Sequence, residues 1–160
     1  MLRINKIQFL IGALALLVGG LLYLVDRPPN YTYFINNLVN VSFHGDTPRI
    51  FGSLGNTLPA YLHVFSFILI TGALVSDKKR DYIIVCLGWC FLDCAFEVGQ
   101  AFHAWSLRIT PEWFSGIPFL ENTQNYFLLG TFDFFDLAAI ALGTVTAYLL
   151  LMITNKEKGG

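Results

Sequence analysis

The chain has 160 residues, of which 55% are hydrophobic and 13% charged, and its mean hydropathy is +0.58. A soluble domain carries about 25% charged residues, so this balance excludes an ordinary soluble domain and predicts a membrane protein. The formal net charge of -1 provides no basic surface for a nucleic-acid partner. We expect a single membrane domain over residues 1–160.

The first predicted element is an apolar transmembrane span at 7–25. Two prolines shortly after Asp26 end it, because proline cannot continue a helix. Within the span, Ala15 and Gly19 form a small-xxx-small pair. Such a pair lets a second helix approach closely, so we predict that these two residues pack against another span.

A polar and aromatic connection, 30–56, follows the first span. It is longer than most connections, so we expect a short interfacial helix at 33–41. The second span is predicted at 58–75, with Pro59 in its first turn, where the missing N–H does least harm. A charged loop at 76–81 then leads straight into the third span.

The third span, 82–100, carries carboxylates inside an apolar run. Asp93, Glu97 and Gln100 are spaced i, i+4 and i+7, so they share one face of the helix. A carboxylate at membrane depth costs on the order of 2.5 kcal/mol or more, so we expect this face to meet protein or water. The three cysteines of the chain also lie here, at spacings that disfavour a disulfide, and we interpret them as packing residues. They are Cys86, Cys90 and Cys94.

A second long connection, 101–131, is rich in aromatic and turn-forming residues. We expect it to be irregular, to lie on the membrane surface and to cap the bundle. The fourth span, 132–153, opens with Asp133 and Asp136 and is apolar thereafter. It contains a second stripe of small residues suited to helix packing. This stripe consists of Ala139, Gly143 and Ala147.

Lysine and arginine are distributed unevenly among the predicted loops. The N-terminal segment, the loop between spans two and three and the C-terminal tail hold seven of them, whereas the two long connections hold three. Loops rich in these residues stay in the cytoplasm. We therefore predict an all-α integral membrane protein, a four-transmembrane-helix bundle that is N-in/C-in, with two long extracytoplasmic loops.

This topology brings polar residues from three spans to one level of the membrane. The histidine of span two lies in its outer half, and the acids of spans three and four lie toward their outer ends. We therefore expect an outward-facing polar pocket, and an inner half of the bundle with almost no polar residues. The predicted pocket comprises His63, Asp93, Glu97, Gln100, Asp133 and Asp136.

Each of these residues also has a structural interpretation. A lone membrane histidine such as His63 is more often a hydrogen-bonded packing residue. Asp133 suits an N-cap, and Asp136 suits a first-turn acid that the helix dipole favours. Intramembrane acids, by contrast, indicate a functional site by default. A purely structural network of Glu97, Gln100 and His63 is the alternative.

The sequence leaves the chemistry of this pocket open. Four carboxylates and a histidine suit a divalent cation. They also suit a general acid and base, since crowded buried acids have raised pKa values. The sequence has no serine or cysteine nucleophile beside a recognisable base, no phosphate-binding glycine loop and no Cys-x-x-Cys motif. We expect no cofactor, with a divalent cation as the alternative.

The run from His63 to Gly143 resembles the VanZ-like family of small bacterial membrane proteins. The motifs that carry the resemblance are His63-Val64-Phe65, Glu97-Val98-Gly99-Gln100 and Asp133-Phe134-Phe135-Asp136, followed by Gly143. Each motif is short, so the resemblance depends on their combination and order. The family usually has an arginine a few residues before the first paired aspartate and an asparagine four residues after the second. This chain has Gly130-Thr131 and Ile140 there.

The resemblance implies a divergent member located in the bacterial cytoplasmic membrane, with an accessory role linked to tolerance of the glycopeptide teicoplanin. We expect a non-enzymatic protein that binds a lipid headgroup, small ligand or cation in the outer-leaflet pocket. One alternative is a membrane-embedded, metal-dependent hydrolase or transferase acting on a lipid-linked substrate. The other is a structural subunit that docks on a membrane-protein partner through the small-residue faces of spans one and four. The expected partners otherwise are the bilayer and a lipid or small molecule.

Overall fold

The computed structural model describes residues 4–26, 50–52, 54–75, 78–118 and 120–156. Within these ranges the chain is helical and has no β-strand. The α-helices are α1 (Lys6–Asp26), α2 (Leu54–Val75), α3 (Lys79–Ala101), α4 (His103–Ile109), α5 (Thr123–Leu129) and α6 (Phe134–Lys156). Two short 3-10 helices, Glu112–Gly116 and Leu120–Asn122, lie between α4 and α5.

Four of these helices, α1, α2, α3 and α6, are long and apolar enough to cross a membrane. Each has 21 to 23 residues. At about 1.5 Å per residue this exceeds the roughly 30 Å hydrocarbon thickness of a bilayer. They coincide, within a few residues at each end, with the four predicted spans. The prediction of an all-α chain with four such helices is confirmed.

The four long helices alternate in direction, which gives the bundle two distinct ends. At the loop end, α1 and α3 finish while α2 and α6 begin. At the terminal end, α1 and α3 begin while α2 and α6 finish. The packing supports this alternation, since the backbone N–H of Asn5 donates to the carbonyl oxygen of Ala73 at 3.1 Å.

Helix α2 is the centre of the bundle and packs against α1, α3 and α6. Glycines permit the closest approaches. A methyl group added at Gly143 of α6 would lie 2.8 Å from the carbonyl oxygen of Tyr61, and one added at Gly12 of α1 would lie 3.0 Å from that of Ser66. Between membrane helices, close packing of small residues replaces a hydrophobic driving force. The buried core is Val64, Ile68, Leu69, Tyr82, Cys86, Ile140, Ala147 and Leu151.

The two predicted small-residue stripes lie partly or wholly inside this packing. Gly19 faces Leu62 of α2, Gly143 faces Tyr61 and Val64 of α2, and Ala147 is fully buried. Ala15 and Ala139 are half-buried. The glycines of both stripes are thus used within the chain, against α2. A subunit that docks on a partner would need another surface.

The start of α2 differs from the prediction, because the helix begins at Leu54 and Pro59 lies beyond its first turn. The reason lies at the end of α1. The carboxylate of Asp26 accepts the backbone N–H groups of Ile50 and Phe51 at 3.0 and 2.9 Å, which fixes the chain just before α2. A carboxylate that accepts backbone N–H groups supplies partners that the segment would otherwise lack. The predicted helix at 33–41 lies outside the described residues.

The prediction of an irregular connection at 101–131 is wrong, because short helices occupy most of its described part. They form because they have a surface to pack on. Phe127 of α5 is buried and stacks on Phe96 of α3 with ring centroids 5.5 Å apart. The hydroxyl of Ser106 in α4 donates to the carbonyl oxygen of Gly99 at 2.8 Å. This connection therefore covers the loop end of α3.

The three cysteines are free thiols. Cys86 belongs to the buried core, and Cys90 and Cys94 pack against it. Their position agrees with the interpretation as apolar packing residues.

Candidate functional site

The structure divides the predicted pocket into two groups that lie on successive turns of α3. The first, which we call the His63 pair, consists of His63 on α2 and Asp93 on α3. The second, which we call the Glu97 group, consists of Glu97 and Gln100 on α3 and Asp133 before α6. The two groups join different helices, α2 to α3 in one case and α3 to α6 in the other.

In the His63 pair, Nδ1 of His63 lies 3.0 Å from Oδ2 of Asp93. The side chain of His63 is 51% exposed and that of Asp93 is 10% exposed. His63 is nine residues beyond the start of α2, and Asp93 is eight before the end of α3. At the helical rise both therefore lie about 12 to 14 Å from the loop end of their helices. The pair thus exposes the imidazole of His63 at membrane depth.

Aromatic rings hold the imidazole in place. Phe67, one turn along α2, lies 4.6 Å from the ring of His63, and Trp89 of α3 lies 6.4 Å away, centroid to centroid. These two rings also stack on each other at 4.7 Å. The indole N–H of Trp89 donates to Thr71 at 3.0 Å, which fixes the indole between α2 and α3. The histidine therefore has a defined position despite its exposure.

The bond at Nδ1 determines what the imidazole can do. When the ring is neutral and Nδ1 carries the hydrogen, Asp93 accepts it and Nε2 is a free hydrogen-bond acceptor. This tautomer follows from the position of the carboxylate. A histidine oriented by a carboxylate in this way can accept a hydrogen bond or a proton from a ligand.

The Glu97 group is buried, with Glu97 at 5% and Gln100 at 6% exposure. Oε1 of Glu97 accepts the backbone N–H of Asp133 at 2.9 Å, and Oε2 lies 3.5 Å from Nε2 of Gln100. Asp133 in turn accepts the N–H of Phe135 at 2.9 Å and so caps α6. An acid beside a helix N-terminus also interacts favourably with the helix dipole. Oε1 of Glu97 thus joins the end of α3 to the start of α6, and Oε2 contacts Gln100 one turn further along α3.

Two residues of the 101–131 connection complete the Glu97 group. A methyl group added at Gly130 would lie 2.6 Å from Oε1 of Gln100, so the glycine lets the chain pass directly over that side chain. Tyr126 lies beside Gln100 and Glu97. Although 40% of Tyr126 is exposed, desolvation raises the pKa of its hydroxyl, and the charge of Glu97 raises it further.

Asp136, the last predicted pocket residue, lies in the first turn of α6. Its backbone N–H donates to the carbonyl oxygen of Asp133 at 3.0 Å. Among the residues that the structure describes, no three histidine, cysteine, aspartate or glutamate side chains are arranged to hold a metal ion. The described part of the predicted pocket therefore offers hydrogen-bonding groups rather than a metal-binding cage.

The half of the bundle at the terminal end, which we expected to have almost no polar residues, does contain a buried polar group. At the terminal end the fully buried Gln8 of α1 donates through Nε2 to the hydroxyl of Thr154 at 2.8 Å and to that of Tyr82 at 3.3 Å. A third contact, at 3.4 Å, reaches the carbonyl oxygen of Leu151. This group, which we call the Gln8 tie, joins α1, α3 and α6. Isolated hydroxyl and amide residues in apolar spans give little sequence signal, which is why it was missed.

Phe67, Trp89 and Tyr126 were also missed as site residues. Phe67 follows His63 by four residues and Trp89 precedes Asp93 by four, so each is a one-turn neighbour of a member of the His63 pair. This i, i+4 spacing is the signal that could have identified them. Tyr126 comes from a connection without periodicity, and no comparable signal exists there.

The fold and this site together define a class: a multi-pass helical membrane protein with a half-exposed His–Asp pair toward the loop end of its bundle. Comparisons of the chain with protein-family models, with curated proteins and with solved structures find no match.

Proposed function

We propose that this chain is a ligand-binding accessory protein of the bacterial cytoplasmic membrane, a divergent relative of the VanZ-like family whose site is the His63 pair. The order of the three short motifs supports the family proposal. The excess of lysine and arginine in the termini and the α2–α3 loop supports cytoplasmic termini, which orient the loop end outward. The ligand would then enter from the outer leaflet.

One observation carries the binding proposal: His63 is half-exposed at membrane depth while Asp93 and two aromatic rings fix its position. A polar group that faces hydrocarbon without a partner is costly. The same group is favourable when a ligand supplies the missing hydrogen bond. The fixed ring also spares the ligand most of the entropy of ordering a side chain.

The Glu97 group fits a structural role better than a binding role. Its carboxylate is buried and both of its oxygens have protein partners. A ligand could reach Glu97 only by displacing Gln100 or the start of α6. We therefore place the ligand at the His63 pair and treat Glu97, Gln100 and Asp133 as the frame that holds α3 and α6 together.

An enzymatic alternative is favoured by one specific feature, the bond from Nδ1 of His63 to Asp93. This arrangement suits a general base. In a hydrolase or transferase acting on a lipid-linked substrate, Nε2 would take the proton of a water or hydroxyl as its oxygen bonds to the substrate. The same proton would then pass to the departing group as the old bond breaks.

The experiment that tests the proposal is lipid and small-molecule mass spectrometry of the purified protein. We expect a stoichiometric compound to accompany the wild type and to be absent from His63→Gln. The matched control is Asp81→Asn, which removes an acid from the terminal end of α3, the helix that carries Asp93, and should retain the compound.

Incubation of the same samples with extracted membrane lipids separates the two functions. Retention of an unchanged compound by the wild type supports binding. A product formed by the wild type and not by His63→Gln would replace the binding proposal with the enzymatic one. Identical, ligand-free spectra for wild type and His63→Gln would contradict both.

A further inference from the structure

Among the described residues of α2 and α3, the charged side chains nearest the His63 pair are acids. Asp93 is within the pair, and Glu97 lies one turn further along α3. Every lysine and arginine of the four long helices lies at the terminal end, and among the described residues outside that end Arg108 of α4 is the one lysine or arginine. With a neutral imidazole, the His63 pair therefore carries the negative charge of Asp93 with no basic side chain from the long helices near it.

The hydrogen-bonding capacity of the pair also limits which ligand groups can bind. In the neutral ring that carries its hydrogen on Nδ1, Asp93 accepts that hydrogen, and Nε2 offers a lone pair and no hydrogen. A group that fits must therefore donate a hydrogen bond. It must also tolerate, or compensate, the negative charge of the carboxylate behind the ring. A phosphate or carboxylate satisfies neither condition, and a hydroxyl satisfies only the first.

From these two conditions we infer that the ligand of the His63 pair is a primary ammonium group, carried by an amphiphile that reaches the pair from the bilayer. An ammonium N–H would donate to Nε2, and its positive charge would offset that of Asp93. Both helices of the pair are apolar over a membrane-spanning length, so an acyl chain would extend along the bundle. This inference rests on the proposed function, because it names the chemistry of the ligand at that same site.

The test uses the full-length protein in nanodiscs and needs no variant for its first comparison. Retention is measured by native mass spectrometry with three lipids of identical acyl chains: phosphatidylethanolamine, phosphatidylcholine and phosphatidylglycerol. All three share the phosphate, but only the first has ammonium N–H groups. A charge-assisted hydrogen bond of ordinary strength predicts about tenfold or greater preference for phosphatidylethanolamine.

Variants and a competitor complete the test. The preference should disappear in Asp93→Asn, which keeps the shape of the side chain, and in His63→Gln, and it should persist in Asp81→Asn. Free ethanolamine distinguishes the two sources of the ammonium group. If free ethanolamine displaces the lipid at equal concentration, the ligand needs no acyl chain, and the inference of an amphiphile is overturned while that of an ammonium group stands.

The outcomes also separate this inference from the proposed function. Retention of phosphatidylglycerol in a His63-dependent manner would overturn the ammonium assignment and leave the site in place. Equal retention of phosphatidylcholine would overturn the hydrogen bond to Nε2. Equal retention of all three lipids by the wild type and both site variants would contradict the amphiphile ligand. If the purified protein also holds no other His63-dependent compound, the result would contradict the site itself.

Discussion

Asp93 and Glu97 are carboxylates on successive turns of one apolar helix, yet the structure surrounds them differently. Glu97 is buried and bonded to the backbone at the start of α6 and to an amide. Asp93 is bonded to a histidine that is half-exposed. The carboxylate of Glu97 therefore contacts only groups within the protein, whereas that of Asp93 orients a side chain that is half-exposed. Membrane acids one turn apart can thus have opposite roles.

What decides the role is the partner rather than the acid. A backbone N–H at a helix start is a fixed donor, so Glu97 holds two segments of chain together. An imidazole that is bonded through one nitrogen can still form a hydrogen bond through its second nitrogen, so the His63 pair can bind a further group. The comparison therefore predicts a large effect on stability from the Glu97 group and a small one from the His63 pair.

The largest effect is expected for Glu97→Ala. The substitution leaves the backbone N–H of Asp133 without its acceptor and opens space between α3 and α6. We expect a loss of about 2 to 4 kcal/mol in the free energy of unfolding, or roughly 5 to 15 °C in the melting temperature. Circular dichroism in detergent measures it. The control is Glu112→Ala, an exposed acid between α4 and α5, and equal melting temperatures for the two variants would contradict the structural role.

A smaller loss is expected for Gly130→Ala. The added methyl group would lie 2.6 Å from both Gln100 and the carbonyl oxygen of Tyr126, so the chain and the amide must shift. Overpacking of this kind costs about 1 to 3 kcal/mol. In Gly116→Ala the methyl group meets nothing within 4 Å, so thermal unfolding should be nearly unchanged. If the two variants melt together, Gly130 is not part of the frame around Gln100.

The high-pH behaviour of Tyr126→Phe sharpens the comparison further. Desolvation first, and Glu97 second, raise the pKa of Tyr126 above its ordinary value of about 10 in the unfolded chain. Its contribution to stability is therefore complete below that pH and is lost as the pH rises above it. We expect the wild type to lose melting temperature above about pH 10 more steeply than the variant. Parallel curves would show that the hydroxyl is not held within the Glu97 group.

The smallest effect on stability is expected for His63→Gln. The amide N–H of the glutamine can replace the imidazole N–H as donor to Asp93, so the melting temperature should stay close to that of the wild type. Binding of the ligand should nevertheless be lost. A fall in melting temperature as large as that of Glu97→Ala would erase the distinction between the two groups and make His63 a packing residue.

Much of the fold could be predicted because its signal extends over whole helices. Four apolar runs of membrane-spanning length were sufficient to identify α1, α2, α3 and α6. The positions that differ depend on single contacts between distant segments. The start of α2 is set by Asp26, and the short helices at 101–131 form because Phe127 finds a surface on α3. Neither contact has a local pattern from which it could be inferred.

The candidate site was predictable only as a set of residues. Spacing along α3 placed Asp93 and Glu97 on one face, and topology placed His63 and Asp133 at similar levels. The pairing of each acid could not be predicted, because it depends on the rotation of α2 and α6 about their axes. Gly143 controls part of that geometry by letting α6 approach Tyr61 of α2. The sequence showed the glycine but not which neighbour it would meet.

The Gln8 tie has a consequence for how the chain is made. Its 2.8 Å bond joins Gln8 to Thr154, residues separated by 146 positions. During synthesis α1 enters the membrane long before α6 is translated, so the buried amide of Gln8 must wait for its last partner. A nascent chain that stops short of Thr154 would leave the amide of Gln8 without its shortest hydrogen bond. Completion of translation and closure of the bundle are thereby coupled.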